Sequence, residues 1–499
     1  MAGFKKRKSY GSASMGSTGF QAVISNPSPP NAPIIGTATN VGTNRPYNNG
    51  AAVVTFTAAS GGGVATSFQV TSSPGGYTAT GSASPLTVTG LQSGTAYTFS
   101  VTASNSFGTS SPSGNTSSIT ATTVPQAPTI GTATAGNASA SVAFTPGASG
   151  GATVNTYLAT SSPGSVYGVG TSSPVTISGL TNGTSYTFTV VANNANGSSI
   201  ASSASNSVTP SNPVPVVTGG TLTSDATYYY RTFTSTGTLG VSTASLTVDY
   251  LIVAGGGGAS GNEGGGGGAG GLRSTVTATG GGGSLESQVS LSPASYTITV
   301  GAGGAGGVGG GGTNGNDSSC IGGSTSLTST AGGGGAYNAV GNTGGSGGGS
   351  SYTGTTSNGT ANQGFGGGGG IVGGGTGYSG GGGGGAGVAG SNAANSRGGS
   401  GGNGVQISAL ATPTSTGASG YYAGGGGGGT AGPFGGQGTG SGGSGGGGAG
   451  GSSGTNGNPG TINTGGGGGA TYWQSATLNG GNGGSGLVIF RYTRSQVGG

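Results

Sequence analysis

The sequence predicts an all-β protein with two tandem β-sandwiches, followed by a glycine-rich domain in which β-strands clamp polyglycine-II-like helices. No significant α-helix is expected. The stretch 86–108 recurs at 175–197, its apolar and polar residues alternate with period two, and 99 of the 131 glycines follow residue 250. The predicted organisation is a flexible basic arm (1–28), a first sandwich (29–124), a second sandwich (125–212) and a glycine-rich domain (213–499).

Composition excludes several classes of protein before any element is placed. Of 499 residues, 10 are basic and 5 are acidic, and there is no His. Proton-transfer catalysis and metal sites use His, Cys, Asp and Glu side chains, and the chain has no His, one Cys and five carboxylates. We therefore expect no enzyme, no catalytic residue, no cofactor and no metal, with carboxylates such as Asp249, Glu263 and Glu286 solvated or locally paired. The lone Cys320 excludes an intrachain disulfide.

Four of the ten basic residues form one cluster, Lys5, Lys6, Arg7 and Lys8. A solvated tail and docking onto an acidic protein surface both fit the cluster, with nucleic acid as a weaker alternative. Only Arg45 is charged between residues 9 and 224, so we expect no nucleic-acid binding face. Neither the 7–15 apolar residues of a signal peptide nor the ~20 of a membrane span occur, which predicts cytoplasmic synthesis without a signal peptide and no membrane insertion.

Each repeat is composed of short strands and turns. The openings 32–39 and 127–134 are similar, and repeat one carries an insertion at 40–50 between its first two strands. Residues 96–105 alternate apolar and polar side chains, which is typical of a strand with one buried face. Turns rich in Ser, Pro and Gly separate such strands, and this pattern without helical periodicity favours a β-sandwich.

The repeated pattern resembles the E–F–G region of fibronectin type III domains. It is carried by Leu91, Gly94, Tyr97, Phe99, Val101, Ala103, Asn105 and Gly108, and again by Leu180, Gly183, Tyr186, Phe188, Val190, Ala192, Asn194 and Gly197. The resemblance implies that Tyr97 and Tyr186 are tyrosine-corner residues whose hydroxyls bond nearby backbone. Both copies lack the strand-B Trp of the family, and we expect Phe56 and Phe144 to fill its place.

The glycine-rich half contains ten runs of four or more Gly among strand-like segments at 228–233, 247–254, 295–300 and 486–492. Collagen would need Gly at every third position with abundant Pro, and phosphate-binding loops would need a Lys after a Gly run. If the glycine-rich half were a flexible linker, the strand-like segment 486–492 at its end would have no partner strands to cover it. The remaining explanation is an array of polyproline-II-like helices, whose outward-pointing N–H and C=O groups can bond laterally if no side chains intervene.

The motifs DYLIVAGGGG, YTITVGAGGAGG and GGSGLVIFRY resemble the glycine-rich domains of phage virion proteins and related adhesins, in one group of which a polyglycine-II sandwich contacts the host receptor through its distal loops. The resemblance implies a surface-exposed phage tail fibre or receptor-binding adhesin, with the arm at Lys5–Lys8 anchoring it to other virion proteins. A capsid decoration or head-fibre protein without a receptor role is the alternative. A depolymerase and an ice-binding protein are weaker ones. A homotrimer is possible on this reasoning, but it would not be a coiled coil, because the sequence has no heptad repeat of apolar residues.

The loops between glycine runs hold most of the large side chains of this half. Aromatic loop residues give contact area at low entropic cost, which suits binding to a host polysaccharide or outer-membrane protein; alternatively they cover the ends of the array. The binding interpretation is favoured for the adjacent pairs Tyr421–Tyr422 and Tyr472–Trp473. Neighbouring side chains on an extended chain point to opposite sides, so at least one ring of each pair is expected to be exposed. The candidate receptor-binding residues are Tyr337, Tyr352, Tyr378, Tyr421, Tyr422, Phe434, Tyr472 and Trp473.

Overall fold

A computed structural model describes residues 28–498, with gaps at 353, 374–376, 395–396, 431–437, 453 and 473–477. The chain divides into two compact units, Met1–Asn212 and Pro213–Gly499. The predicted anchor at Lys5, Lys6, Arg7 and Lys8 lies outside the described residues. Within the described part of the chain, no helix has the length and apolar character needed to cross a membrane.

The first sandwich packs a three-stranded sheet, ordered β1-β2-β5, against a sheet ordered β4-β3-β6-β7, with β8 also paired to β6. All pairings are antiparallel. Its strands are β1 Ile34–Val41, β2 Gly50–Thr57, β3 Ser67–Ser73, β4 Thr78–Gly81, β5 Leu86–Leu91, β6 Ala96–Asn105, β7 Gly108–Thr109 and β8 Ile119–Thr120.

The second sandwich repeats this arrangement, with sheets ordered β13-β10-β9 and β12-β11-β14-β15. The predicted duplication is therefore present in the fold. Its strands are β9 Thr129–Gly136, β10 Ser139–Thr145, β11 Val154–Ser162, β12 Tyr167–Gly170, β13 Val175–Ser178, β14 Thr187–Asn194 and β15 Gly197–Ser198.

Both sandwiches contain the predicted tyrosine corner. The phenol oxygen of Tyr97 accepts a hydrogen bond from the N–H of Gln92 at 3.0 Å, and that of Tyr186 accepts one from Thr181 at 3.1 Å. Phe56 and Phe144, which were expected to take the place of the missing Trp, are both buried in the cores. The ring centroid of Phe56 lies 4.9 Å from that of Phe68, and Phe144 is likewise buried, in the core of the second sandwich.

The insertion of repeat one forms the loop 42–49 between β1 and β2, where the second sandwich has only residues 137–138 between β9 and β10. The loop contacts the second sandwich, because the N–H of Asn44 donates to the carbonyl of Asn196 at 2.7 Å. It also bonds to the last residue of its own sandwich, where the N–H of Val124 donates to the carbonyl of Arg45 at 3.0 Å. The insertion therefore has a structural use beyond lengthening a turn.

The glycine-rich unit contains a sheet ordered β17-β18-β30-β20-β21, with β22 paired to β20, and a second sheet ordered β16-β19-β23-β24-β25. Its elements are β16 Val216–Thr218, β17 Thr221–Ser224, β18 Tyr228–Phe233, β19 Gly237–Ser242, β20 Leu246–Val253, β21 Leu272–Ser274, β22 Val289–Leu291, β23 Ala294–Thr299, β24 Ser318–Gly322, β25 Thr325–Ser329, β26 Ile371–Gly373, β27 Gly377–Ser379, β28 Val405–Gln406, α1 Ser408–Thr414, β29 Tyr421–Tyr422, β30 Leu487–Thr493 and a 3₁₀ helix Arg494–Val497.

The four predicted strand segments of this unit are confirmed as β18, β20, β23 and β30. Side chains from one face of β20 and β30 pack against the second sheet around Leu239, Tyr296 and Ile298. Side chains from the opposite face, including Leu251 and Ile489, pack with α1 and with the nearest glycine runs. The central pair of strands is thus buried on both faces, which explains its nearly continuous apolar sequence.

The glycine runs form an array of extended helices bonded to one another, as predicted. Along the run 255–261, every N–H donates to a neighbouring run at 2.8–3.1 Å. The N–H groups that share one acceptor run are three residues apart, namely those of Gly255, Gly258 and Gly261, which donate to Asn316, Thr313 and Gly310. The residues between them donate to the runs 481–484 and 265–268. A repeat of three residues per neighbour is the repeat of a polyproline-II helix.

Three further runs donate to the carbonyls of 255–261, from around 304–307, 332–335 and 468. The run is therefore surrounded by six neighbours, three that accept and three that donate. At the glycine positions of this run no side chain fits. A Cβ on Gly255, Gly256 or Gly257 would overlap a backbone carbonyl of a different neighbouring run in each case.

Candidate functional site

The array has a base and an outer end. At the base, runs join the strands directly: Gly255 follows β20, Gly301 follows β23 and Gly486 precedes β30. Successive runs then lead away from the sheets and back again, as the antiparallel pairing of 255–261 with 310–316 shows. The outer end is therefore formed by the segments between runs, and its described segments include 261–263, 308–310, 337–340 and the paired strands β26 and β27.

Three predicted binding residues come together at the outer end. The ring centroids of Tyr337 and Tyr352 are 6.1 Å apart, and those of Tyr352 and Tyr378 are 4.3 Å apart, both in edge-to-face arrangements. Tyr378 is 40% exposed, while the other two rings are half-buried. We call these three residues the tyrosine cluster. Edge-to-face pairs of this kind are favourable, so the three rings form one group at the outer end.

A buried carboxylate supports the central ring. The hydroxyl of Tyr352 donates to Oε2 of Glu263 at 3.0 Å. Glu263 is only 5% exposed, and this burial raises the pKa of its carboxyl group above the usual value. Asn262 and Glu263 both have left-handed backbone, with φ of 63° and 37°. Non-glycine residues rarely adopt this region, so the turn is held by its surroundings, including the bond to Tyr352.

Exposed valines also occur on loops at the outer end. Val308 is 71% exposed, Val340 is 42% exposed and Val372 is 59% exposed. Exposed apolar side chains and tyrosine rings are both suited to recognising a partner surface. These valines were not among the predicted binding residues, although each one adjoins a glycine and could have been found on that ground.

The other predicted aromatic residues do not join this cluster. Tyr421 and Tyr422 form β29 at the base of the array, where Tyr422 is fully buried and its hydroxyl is 2.7 Å from that of Thr416. Tyr472 is also buried, at 8% exposure. Both rings are therefore largely covered in this structure, whereas binding needs exposed rings, and the expectation that Tyr422 and Tyr472 meet a partner stays a prediction. Phe434 and Trp473 lie outside the described residues.

The carboxylates of the glycine-rich unit are locally paired. Asp249 forms an ion pair with Arg491 at 2.6 Å, and Glu286 forms one with Arg273 at 2.6 Å. The arginine and tyrosine bonds to Glu286 outweigh its partial burial and lower the pKa of its carboxyl group. Among the described residues, no three metal-ligating side chains are grouped so that they could hold an ion. Burial raises the pKa of the Cys320 thiol to about 12, so at neutral pH the group is a thiol packed in the core.

Comparison with known proteins identifies two domain types. A family model described as a glycine-rich domain matches residues 231–493, and one described as a fibronectin type III domain matches residues 39–119. No curated protein matches the chain. Among solved structures, domains from titin are 16% identical over 36% of this chain and 67% of that chain, with a TM-score of 0.24. The FN1-FN3 domains of chicken CNTN1 are 14% identical over 55% of this chain and 93% of that chain, with a TM-score of 0.23. Scores this low support no structural argument.

Proposed function

The chain belongs to the glycine-rich domain family, and on that premise we propose that it is a non-enzymatic phage virion protein, a tail fibre or receptor-binding adhesin that attaches the particle to the host cell surface. The glycine array would serve as a rigid scaffold, and the loops at its outer end would bind a host polysaccharide or outer-membrane protein. The arm at Lys5–Lys8 would join the chain to other virion proteins.

The observation that carries this proposal is the tyrosine cluster. A scaffold built largely of glycine has almost no side chains with which to recognise anything, yet three tyrosines meet at the end farthest from the sheets. Rings that pack against one another lose little conformational entropy on binding. The low charge of the chain fits a surface that must avoid unselective electrostatic attachment.

The test measures binding of the purified full-length chain to immobilised bacterial surface polysaccharides and outer-membrane protein preparations. Replacing Tyr378→Ser removes the most exposed ring of the cluster, and we expect at least tenfold weaker binding. The matched control is Tyr167→Ser, since Tyr167 is 67% exposed on β12, in the other unit. Equal loss in both variants, or no loss in Tyr378→Ser, would contradict a receptor role for the cluster.

Gold-labelled antibody against residues 29–212, viewed on phage particles that carry this chain, separates the two virion roles. Label on tail fibres agrees with attachment. Label on the capsid, together with absent binding in the surface assay, would establish the capsid decoration alternative and refute the adhesin.

A further inference from the structure

A cleft of about 330 Å³ lies at the base of the glycine-rich unit, remote from the tyrosine cluster. Its volume falls at the lower end of the range of about 300–1,000 Å³ that is usual for small-molecule sites. Three segments enclose it: the edge formed by β17 and β18, the C-terminal end of α1 with residues 414–417, and the turn 461–464.

Threonine hydroxyls dominate the walls of this cleft. Thr221 pairs with Thr232 across β17 and β18, and side chains alternate along a strand, so Thr221, Thr223, Thr232 and Thr234 share one face. The helix end and the turn add four more threonines, which are Thr414, Thr416, Thr461 and Thr464. The described residues that line the cleft include no charged side chain.

Two of these hydroxyls lack a partner. The Oγ1 atoms of Thr223 and Thr232 are buried and make no hydrogen bond to the protein, and Thr232 is only 7% exposed. Buried hydroxyls in native proteins are nearly always bonded, because an unmade bond costs free energy. Both threonines line the cleft, so a change of χ1 rotamer is the route by which either hydroxyl would reach a ligand there. The missing partner is therefore expected within the cleft.

The remaining walls are already held in place. The hydroxyl of Thr416 is bonded to that of Tyr422 at 2.7 Å, and the hydroxyl of Thr464 donates to the carbonyl of Thr461 at 2.7 Å. A site whose walls are preformed does not lose affinity to ordering them on binding. Ile462, 70% exposed at the rim, adds one apolar contact.

We propose that this cleft binds a neutral saccharide. Hydroxyl-lined walls can donate to and accept from sugar hydroxyls, and Ile462 offers an apolar contact for the C–H face of a sugar ring. The walls provide no cation for an anionic ligand, and the carbonyl end of α1 disfavours negative charge. The site is separate from the tyrosine cluster and does not depend on its role.

The test is saturation-transfer NMR and calorimetric titration of the full chain with D-glucose, D-galactose and N-acetyl-D-glucosamine, and with D-glucuronic acid as the anionic comparison. The double variant Thr223→Val with Thr232→Val keeps side-chain shape but removes both hydroxyls. We expect at least one neutral sugar to bind the wild-type chain, tenfold or more weaker binding in this variant, and little binding of glucuronic acid. The control Thr297→Val removes an exposed hydroxyl from β23 and should bind as wild type does.

Thermal unfolding of each variant checks that the fold is intact. The proposal is overturned if no neutral sugar binds, if glucuronic acid binds equally well, or if the folded double variant binds as tightly as the control. Loss of the same sugar signal in Tyr378→Ser would also overturn it by moving the site to the outer end. A failed receptor assay with intact sugar binding would instead refute only the adhesin role.

Discussion

Adding one methyl group inside the glycine array should destabilise the unit strongly. Gly267 lies in a central run, and a Cβ there would overlap the carbonyl oxygen of Gly257. Its own N–H donates to Gly468 at 2.8 Å, and its carbonyl accepts from Gly426 at 2.9 Å. The variant Gly267→Ala can therefore admit the methyl only by moving the run and stretching bonds to its neighbours.

The magnitude follows from those contacts. Leaving two buried backbone bonds unmade costs about 2–6 kcal/mol at about 1–3 kcal/mol per group, and overpacking adds about 1–3 kcal/mol. The lower entropy of the unfolded chain returns about 0.4–1 kcal/mol. A net loss of about 4 kcal/mol corresponds to a fall of roughly 10 °C in the unfolding temperature of a domain this large.

Differential scanning calorimetry measures the effect, and Gly310→Ala is the matched control. A Cβ at Gly310 meets no atom within 4 Å, so only the entropic gain remains and the unit should become slightly more stable, by about 0.4–1 kcal/mol. The two substitutions are chemically identical and have opposite expected signs. An unchanged or higher unfolding temperature in Gly267→Ala would refute the close-packed array, as would array amides that exchange within seconds.

Two further substitutions test the sandwiches and the outer end. Tyr97→Phe removes the acceptor of the Gln92 N–H, so denaturant titration should show a loss of about 0.5–1.5 kcal/mol, and an unchanged midpoint would argue against the tyrosine corner. Because the pKa of Glu263 is raised in the folded state, its contribution to the free energy of unfolding is present at low pH and is lost as pH rises through the folded-state pKa. Glu263→Gln should therefore match the stability of wild type near pH 4 and be the more stable protein at pH 8. Parallel curves of stability against pH for the two proteins would exclude a raised pKa at Glu263.

Much of the fold follows from local sequence patterns, because both kinds of domain repeat a simple rule. In the sandwiches, period-two alternation that begins at Tyr97 and Tyr186 specifies which face is buried. In the array, the rule is the absence of side chains, which permits lateral bonding with a repeat of three residues. Each rule acts over a few residues, so it is visible without knowledge of tertiary contacts.

The helix α1 illustrates what local patterns miss. It spans Ser408–Thr414, contains Pro413, and begins at Ile407 without a side-chain cap. None of the usual sequence signals for a helix is present, and a helix this short is stabilised by packing, here through the buried Leu410 and Ala411. The threonine cleft that α1 helps to form could not be predicted from local patterns either, because its walls come from segments far apart in the chain.

The end of the array at which a loop falls depends on the direction of the run before it. Tyr337 and Tyr352 each follow a run that leads away from the sheets, so both lie at the outer end, whereas Tyr421 follows a run that leads back and lies at the base. Two loops separated by an even number of glycine runs therefore lie at the same end of the array. Two loops separated by an odd number of runs lie at opposite ends. The side chain is a tyrosine at either end of the array, so the sequence alone selects Tyr337 and Tyr422 equally as candidate binding residues. The count of reversals assigns Tyr337 and Tyr422 to opposite ends of the array, and that count requires knowing that every run is ordered.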